Sequence, residues 1–309
     1  MRTDVPKKRH KGQDMNEIIG KAYGKINLDL DVIGRREDGY HLVRMIMQTV
    51  DIYDTVCIRK TSGSDITLQT DSGLLPSDPT NLVWRAADVV RKEFGLTDGL
   101  EITLWKRIPI AAGMAGGSAD AAAVFRLLRE LYGLEASDER LQELALPLGA
   151  DIPYCIAGGT QLSEGIGEVL TRLPSPPDAS LIVCKPDLYV STPWVYKEFD
   201  SIPENEICHP DVDGMAETIR SGDLGGLCRL LGNVLEQKTG VEYPVIGELE
   251  QFFMERGAMG SIMTGSGPTV FAVYSDENAA ESAYEELCSR AEYRNFQKFK
   301  TKFIDPRES

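Results

Sequence analysis

The segment from Pro109 to Ala123, which reads PIAAGMAGGSADAAA, constrains the fold of this chain more than any other. A β-like run from Leu100 to Trp105 precedes it, and a helix-like run follows from Ser118 to Gly133. A glycine-rich loop between a strand and a helix lets backbone N–H groups approach a phosphate closely, and the helix N-terminus adds partial positive charge. The glycines at 113, 116 and 117 remove side chains that would obstruct that approach.

The loop matches neither of two common phosphate-binding signatures. No Gly-Lys-Ser/Thr follows the glycines, so it is not a Walker A sequence, and the glycine spacing is not that of G-x-G-x-x-G. On these residues alone, a phosphate-binding loop and a tight structural turn are equally supported.

Composition restricts the class of protein. With 309 residues the chain can bury a large core and is expected to form two lobes. The net charge of −15 argues against a nucleic-acid partner or an anionic membrane, so a phosphorylated ligand would need a local positive pocket of backbone amides and Mg²⁺. No apolar run approaches the roughly 18–20 residues of a membrane span, and no signal-peptide core opens the chain, so we expect a cytoplasmic protein.

The cysteines and the N-terminal residues indicate no site. The six cysteines are scattered, with no C-x-x-C pair and no metal-ligand spacing, so we expect reduced, mostly buried thiols and no protein metal cluster. Residues 1–14 are polar and basic without periodicity, which predicts a disordered extension. Their basic cluster, Lys7-Lys8-Arg9, has no interleaved aromatic residue, which favours a solvated tail over a nucleic-acid patch.

The remaining chain mixes strand-like and helix-like runs. From Lys25 to Val32, polar and apolar residues alternate as in a strand, and further strands are expected near 42–50 and 54–60. The run from Asn81 to Phe94 has helical periodicity, with Gly95 as its stop. Because strands and helices do not alternate regularly, the sequence predicts an α+β fold in two lobes.

Three segments, taken in chain order, resemble the GHMP kinase superfamily of small-molecule ATP-dependent kinases. They are Lys25-Ile26-Asn27-Leu28, the 109–123 loop and Thr264-Gly265-Ser266-Gly267. Residues 22–41, 148–153 and 165–168 narrow the resemblance to kinases of the non-mevalonate isoprenoid-precursor pathway. The resemblance implies a ribosomal protein S5 domain 2-like N-lobe that binds ATP, at 15–163, and an α/β-plait C-lobe that binds the other substrate, at 164–309.

The resemblance also implies an activity. Such an enzyme uses ATP and Mg²⁺ to phosphorylate the 2-hydroxyl of a small molecule, a cytidine diphosphate-linked methylerythritol. We expect it to be a monomer or a weak homodimer. The alternatives are a homoserine- or mevalonate-type kinase and a catalytically dead relative that only binds ligand. Tyr40, His41 and Tyr196 favour the cytidine-bearing acceptor, because an acceptor without a base needs no aromatic sandwich.

Two residues match the catalytic pair of the superfamily. Asp151 would receive the proton of the acceptor hydroxyl, and Lys25 would be its partner. Phosphoryl transfer needs positive charge near the attacking hydroxyl and the migrating group, which a lysine supplies. Taken singly, Lys25 could be a strand-edge lysine and Asp151 a helix cap or turn residue.

The resemblance places the nucleotide around the 109–123 loop, with the glycines and Ser118 surrounding the phosphates and Ser118 opening the helix. Asn81 and Lys106 match positions that contact adenine and ribose, although they could equally be a helix-start residue and a surface lysine. Asp120 would either cap the helix or hold Mg²⁺ through water, and we favour the cap. The loop departs from the glycine-richer form, with alanine at 111, 112, 115 and 119. The predicted nucleotide-binding residues are Asn81, Lys106, Pro109, Gly113, Gly116, Gly117 and Ser118.

The acceptor is assigned to residues of both halves. Tyr40 and Tyr196 would sandwich the cytosine ring, and His41 would contact the polar edge of the base. Asn27 lies two residues from Lys25 and therefore on the same side of the strand. The predicted acceptor-binding residues are Asn27, Tyr40, His41, Thr192, Pro193, Tyr196, Gly265 and Ser266.

Overall fold

Two long antiparallel strands form the centre of the larger sheet. In the computed structural model, which describes residues 16–307, β1 (Glu17–Arg35) and β2 (His41–Thr61) pair along nearly their whole length. The extension predicted at 1–14 lies outside the described residues. Both faces of β1 are buried where the sequence alternates, because Ile26 and Leu28 enter the apolar core while Lys25 and Asn27 lie beneath other loops.

Helices and shorter strands follow in an irregular order. In chain order they are β3 (Ile66–Thr70), α1 (Leu82–Phe94), β4 (Gly99–Trp105), α2 (Gly116–Tyr132), α3 (Asp138–Ala145), α4 (Ile152–Ala157), β5 (Thr160–Glu164), β6 (Val169–Leu173), β7 (Ser180–Lys185), α5 (Thr192–Phe199), α6 (Val212–Ser221), α7 (Leu224–Leu230), β8 (Gly232–Asn233), α8 (Glu236–Glu242), α9 (Val245–Met254), β9 (Gly260–Met263), β10 (Val270–Tyr274), α10 (Glu277–Ser289) and β11 (Gln297–Lys302).

The larger sheet has the strand order β3-β4-β2-β1-β8, with β5 also paired to β2 and β6 paired to β5. The sequence predicted two separate strands near 42–50 and 54–60, and this was wrong, because β2 continues through both. Its early part pairs with β5 and its late part with β4. Between them lies a shift in register opposite Gly24 rather than a chain reversal.

The smaller sheet is antiparallel, in the order β11-β7-β10-β9. One face is covered by α9 and α10, whose buried residues include Leu249, Phe253 and Leu287. The other face places Val183 and Phe271 in the core shared with the larger sheet. The α+β architecture in two lobes is confirmed.

The lobe boundary predicted at 163/164 falls within β5, whose hairpin partner β6 belongs to the larger sheet. That exact division stays a prediction. Within residues 16–307, no helix combines the length and apolarity needed to cross a membrane. All six cysteines are free, and Cys208 and Cys288 alone among them are exposed, as expected for reduced thiols.

Candidate active site

One cavity of about 1160 Å³ collects every residue assigned from the sequence to catalysis, nucleotide or acceptor. Elements from both sheets contribute to its wall, so residues far apart in sequence share one space. The residues in question are Lys25, Asn27, Tyr40, His41, Asn81, Lys106, Pro109, Gly113, Gly116, Gly117, Ser118, Asp151, Thr192, Pro193, Tyr196, Gly265 and Ser266.

Lys25 is held rigidly by the strand that carries it. The register shift at Gly24 frees the Lys25 backbone N–H, which donates to the carbonyl of Met114 at 3.2 Å. The Lys25 ammonium donates to Asn27 Oδ1 at 2.6 Å and to the Gly113 carbonyl at 2.8 Å. Its side chain is therefore a buried cation attached to the loop after β4, and the strand-edge interpretation is wrong.

Asp151 stands immediately before α4, yet its side chain makes no cap hydrogen bond to that helix. The helix-cap interpretation of Asp151 is therefore wrong, and the carboxylate is left to the cavity. Burial lowers the pKa of Lys25, and the negative charge of Asp151 partly opposes that shift. The two side chains thus interact through their charges, whereas the hydrogen bonds of the Lys25 ammonium go to Asn27 and Gly113.

The second small-residue loop, Thr264 to Gly267, packs directly against the first. Thr264 Oγ1 accepts a 2.8 Å hydrogen bond from the backbone N–H of Asn27. A β-carbon at Gly265 would lie 2.8 Å from the Gly113 carbonyl oxygen, so only glycine permits this approach. Asn233 fixes the loop from behind, donating to the carbonyls of Met263 and Gly265 at 2.8 and 2.9 Å.

The backbone of the 109–123 loop turns repeatedly into the left-handed region. Ala111, Gly113 and Ala115 have φ values of 51°, 70° and 56°. For the two alanines this conformation costs roughly 1–2 kcal/mol each, so these departures from glycine carry strain. Successive turns of this kind direct backbone N–H groups into a concave anion site.

The helix after this loop begins earlier than predicted. α2 starts at Gly116 rather than at Ser118, since the carbonyl of Ala115 already accepts the Ala119 N–H at 2.8 Å. Gly117 is exposed and has only Leu82 near its missing β-carbon, at 3.6 Å. Any larger residue at Gly117 would project into free space at the helix N-terminus, where an anion is favoured.

Lys106 is not a surface lysine. Its side chain is 8% exposed and bridges two buried carboxylates, Asp54 and Asp120, the latter at 2.7 Å. Burial lowers the pKa of Lys106, but the two carboxylates more than offset this and raise it overall. Asp54 also accepts the backbone N–H groups of Arg107 and Ile108, so it fixes the approach to the loop.

Asp120 does not cap α2, which corrects the favoured prediction. Because the helix begins at Gly116, Asp120 falls beyond its first turn, and one oxygen binds Lys106 instead. The other oxygen, Oδ1, is buried without a hydrogen-bond partner. Burial and the charge of Asp54 hold the pKa of Asp120 well above its ordinary value, against the opposing effect of Lys106. A cation near Oδ1 would give this oxygen the partner that it lacks and would favour the ionised carboxylate.

Asn81 starts α1, which confirms the helix-start interpretation. Its Oδ1 accepts the Val83 N–H at 2.9 Å and its Nδ2 donates to the Pro76 carbonyl at 2.8 Å. The same residue lines the cavity beside an apolar group that could cover a flat ring. That group consists of Leu75, Pro76, Leu82 and Ile110. An adenine contact by Asn81 stays a prediction.

The acceptor end of the cavity contains the predicted aromatic residues. The His41 ring stacks on Tyr196, with centroids 4.7 Å apart and planes 29° apart. Burial raises the pKa of Tyr196 above its ordinary value, and the charge of Asp151 adds to the shift. Tyr40 is 59% exposed at the rim, so it is not a core aromatic. A sandwich of cytosine between Tyr40 and Tyr196 stays a prediction.

α5 contributes two further predicted residues, Thr192 and Pro193, at its first turn. Thr192 Oγ1 lies 2.7 Å from Ser266 Oγ, which joins this helix to the second small-residue loop. Among residues 16–307, no group of three or more His, Cys, Asp or Glu side chains could hold a metal ion.

Sequence reasoning missed three residues that position the site. Asp54 is a fully buried acid within β2, and an acidic residue on the apolar face of a strand is a signal in the sequence. That its partner is Lys106 follows only from the register between β2 and β4. Asn233 and Asp200 follow from contacts between distant segments, and neither has a local signal in the sequence.

Two protein-family models and a curated relative match this chain. The model of the GHMP kinases N terminal domain matches residues 81–159, and that of the GHMP kinases C terminal matches residues 215–292. A 4-diphosphocytidyl-2-C-methyl-D-erythritol kinase from Lachnoclostridium phytofermentans is 48% identical over 272 residues, which cover 88% of this chain and 93% of that protein.

Solved structures are similar along nearly the whole chain. A crystal structure of a 4-(cytidine 5'-diphospho)-2C-methyl-D-erythritol kinase aligns with a TM-score of 0.77 and 31% identity, covering 93% of this chain and 99% of the other. A homoserine kinase from Cytophaga hutchinsonii aligns with a TM-score of 0.75 and 18% identity, covering 96% and 98%. The second likeness shows a shared fold alone.

Proposed function

This chain belongs to the 4-diphosphocytidyl-2-C-methyl-D-erythritol kinases of the GHMP kinase superfamily, and from that membership we propose that it transfers the γ-phosphate of ATP to the 2-hydroxyl of 4-diphosphocytidyl-2-C-methyl-D-erythritol. One observation carries the proposal beyond the kinase class. The phosphate-loop residues and the aromatic residues suited to a base line the same cavity, with Lys25 and Asp151 in its wall.

Lys25 and Asp151 divide the work of the transfer. The acceptor oxygen forms a bond to the γ-phosphorus while the bond from that phosphorus to the bridging oxygen of ATP breaks, and ADP leaves. The hydroxyl proton passes to the carboxylate of Asp151 late in this step, as suits a loose, in-line transfer. Lys25, fixed to the Gly113 carbonyl, holds its charge beside the loop, where it would also stabilise charge on the acceptor oxygen.

The cavity fits a nucleotide with a divalent cation. The open space at Gly117 and the left-handed turns before it would accept the phosphates. Ser118 and the unpartnered Oδ1 of Asp120 would hold Mg²⁺, in part through water, consistent with its preference for few carboxylates plus phosphates. Bound Mg²⁺ would neutralise charge that develops on the phosphates.

The acceptor would lie across the two lobes. Tyr196 and Tyr40 line the cavity and would stack on the cytosine, and Thr192 and Ser266 would present their hydroxyls to the diphosphate. With a net charge of −15, the chain would act on these small molecules without nucleic acid or membrane, as a monomer or weak homodimer.

Phosphorus NMR of the products tests this proposal. With Mg-ATP and the acceptor, we expect one new phosphate monoester at the 2-position, an intact cytidine diphosphate group, and one ADP for each acceptor consumed. A monoester on another hydroxyl, or release of inorganic phosphate without any monoester, would contradict it.

A further inference from the structure

Asp200 joins the turn between β1 and β2 to the end of α5. Its Oδ1 lies 2.7 Å from Nε2 of His41, and its Oδ2 accepts a 3.0 Å hydrogen bond from Arg35 Nη1. Asp200 directly follows the last residue of α5, the helix that carries Tyr196. One carboxylate therefore ties both ends of the turn at 36–40 to the helix on the other side of the cavity.

The contact with Asp200 determines which His41 nitrogen carries the proton. A carboxylate can only accept, so Nε2 must be the N–H donor, and the neutral imidazole then has a lone pair on Nδ1. Within residues 16–307, Nδ1 has no hydrogen-bond partner. Stacking on Tyr196 fixes the plane of the ring. In the neutral ring, the one nitrogen left to a ligand in the cavity is thus an acceptor.

We propose that Asp200 is a positioning residue that holds His41 as a hydrogen-bond acceptor and so makes the site select cytosine over uracil. This inference rests on the proposed function, in which a cytidine group occupies this end of the cavity. Cytosine presents an exocyclic amino group, which donates, where uracil presents a carbonyl oxygen, which accepts. Nδ1 accepts a hydrogen bond from the cytosine amino group. It cannot form one with the uracil oxygen, because both atoms are acceptors and their lone pairs repel each other.

The variant Asp200→Asn tests the role of the carboxylate with little change in shape. An asparagine amide can donate to Nε2, which allows His41 to carry its proton on Nδ1 instead. We expect the preference for CDP over UDP, measured as inhibition constants against the acceptor, to fall at least about tenfold. The KM for the acceptor should rise, while kcat and the KM for ATP stay near the values of the unmodified enzyme.

Two matched variants separate this role from a structural one. Arg35→Ala keeps the bond between Asp200 and His41, so both nucleotides should weaken equally and their ratio should not change. Asp88→Asn removes an exposed ion pair with Lys92 on α1, outside the cavity, and should alter neither binding nor activity. In a His41→Ala background, Asp200→Asn should have no further effect on the ratio.

Nitrogen NMR of the imidazole rings gives a second readout that a structural role would not move. The chain has only three histidines, so His41 is assigned by its loss in the His41→Ala variant. We expect the Nε2–H tautomer in the unmodified protein and a shift toward Nδ1–H in Asp200→Asn.

The outcomes distinguish this inference from the proposed function. An unmodified enzyme that prefers CDP, together with an Asp200→Asn variant that keeps the same preference and tautomer, overturns the role of Asp200 alone. An unmodified enzyme that phosphorylates the cytidine-bearing acceptor but binds CDP and UDP equally also overturns this inference alone. An unmodified enzyme that does not phosphorylate that acceptor overturns both.

Discussion

The α-carbon of Gly113 faces the carbonyl oxygen of Thr264 so closely that an added β-carbon would overlap it. This approach presses the two small-residue loops together beneath Lys25, whose ammonium binds the Gly113 carbonyl. The position of the Lys25 ammonium therefore depends on the absence of a side chain at Gly113.

Gly113→Ala should separate the two loops. The φ of 70° and the overlap with Thr264 together should cost about 2–5 kcal/mol in the free energy of unfolding, and turnover should fall strongly. Gly133→Ala is the matched control, because Gly133 has a φ of 60° but nothing within 4 Å of its β-carbon position. Chemical denaturation of both variants measures the difference, and equal losses would show that the loop contact contributes nothing.

Asp151→Asn should abolish proton acceptance while leaving the nucleotide site intact. We expect kcat to fall by about 10²–10⁴, the range of general-base contributions, with the dissociation constant for ATP nearly unchanged. Steady-state kinetics and calorimetric titration measure the two quantities. Turnover equal to that of the unmodified enzyme would remove Asp151 from the mechanism.

Asp54→Asn should weaken nucleotide binding by loosening the residues that lead into the phosphate loop. Asp54 is fully buried and holds Lys106 and two backbone N–H groups before the phosphate loop. Loss of its charge should cost about 3 kcal/mol of unfolding free energy and raise the KM for ATP. The control Asp88→Asn removes only an ion pair with the exposed Lys92 and should cost less than about 1 kcal/mol. Equal losses of unfolding free energy in the two variants would contradict the role of Asp54.

Asp29→Asn should change how stability depends on pH. Burial and the charges of Asp31 and Asp211 raise the pKa of Asp29 to about 8, against the lowering effects of the Leu30 backbone and Arg44. From its ordinary pKa of about 3.9 up to that value, the unfolded state has released a proton that the folded state keeps. The free energy of unfolding therefore falls as pH rises through this window, by at most about 1.4 kcal/mol per pH unit.

The asparagine variant removes that contribution. Urea unfolding between about pH 5 and 8 should show a flatter decline for Asp29→Asn than for the unmodified protein. Asp88→Asn should keep the original slope. A slope in Asp29→Asn that matches the unmodified protein would show that Asp29 is already ionised in the folded state.

Local patterns predicted many of the secondary-structure elements, and the resemblance to the GHMP kinases assigned site residues to them. The alternation around Lys25 and the small residues of the 109–123 loop were enough to place a strand, a loop and a helix, because these signals involve neighbours in the chain. The predicted start of α2, Ser118, lies two residues after the observed one, because Ala115 adopts a left-handed conformation that the sequence does not indicate.

Contacts between residues far apart in the chain could not be predicted from the sequence. Lys106 finds Asp54 through the register of β2 and β4, and its bond to Asp120 explains why Asp120 does not cap its helix. His41 finds Asp200 only when α5 packs against the turn after β1. Each of these pairs depends on how strands and lobes are placed relative to one another, which the residue pattern does not specify.

The most direct test of the proposed activity is release of ADP from Mg-ATP with three acceptors in parallel: 4-diphosphocytidyl-2-C-methyl-D-erythritol, homoserine and mevalonate. We predict rapid turnover with the cytidine-bearing acceptor and a far lower kcat/KM with the other two. Preferred turnover of homoserine or mevalonate, or no turnover of any acceptor by protein that binds ATP, would contradict this activity.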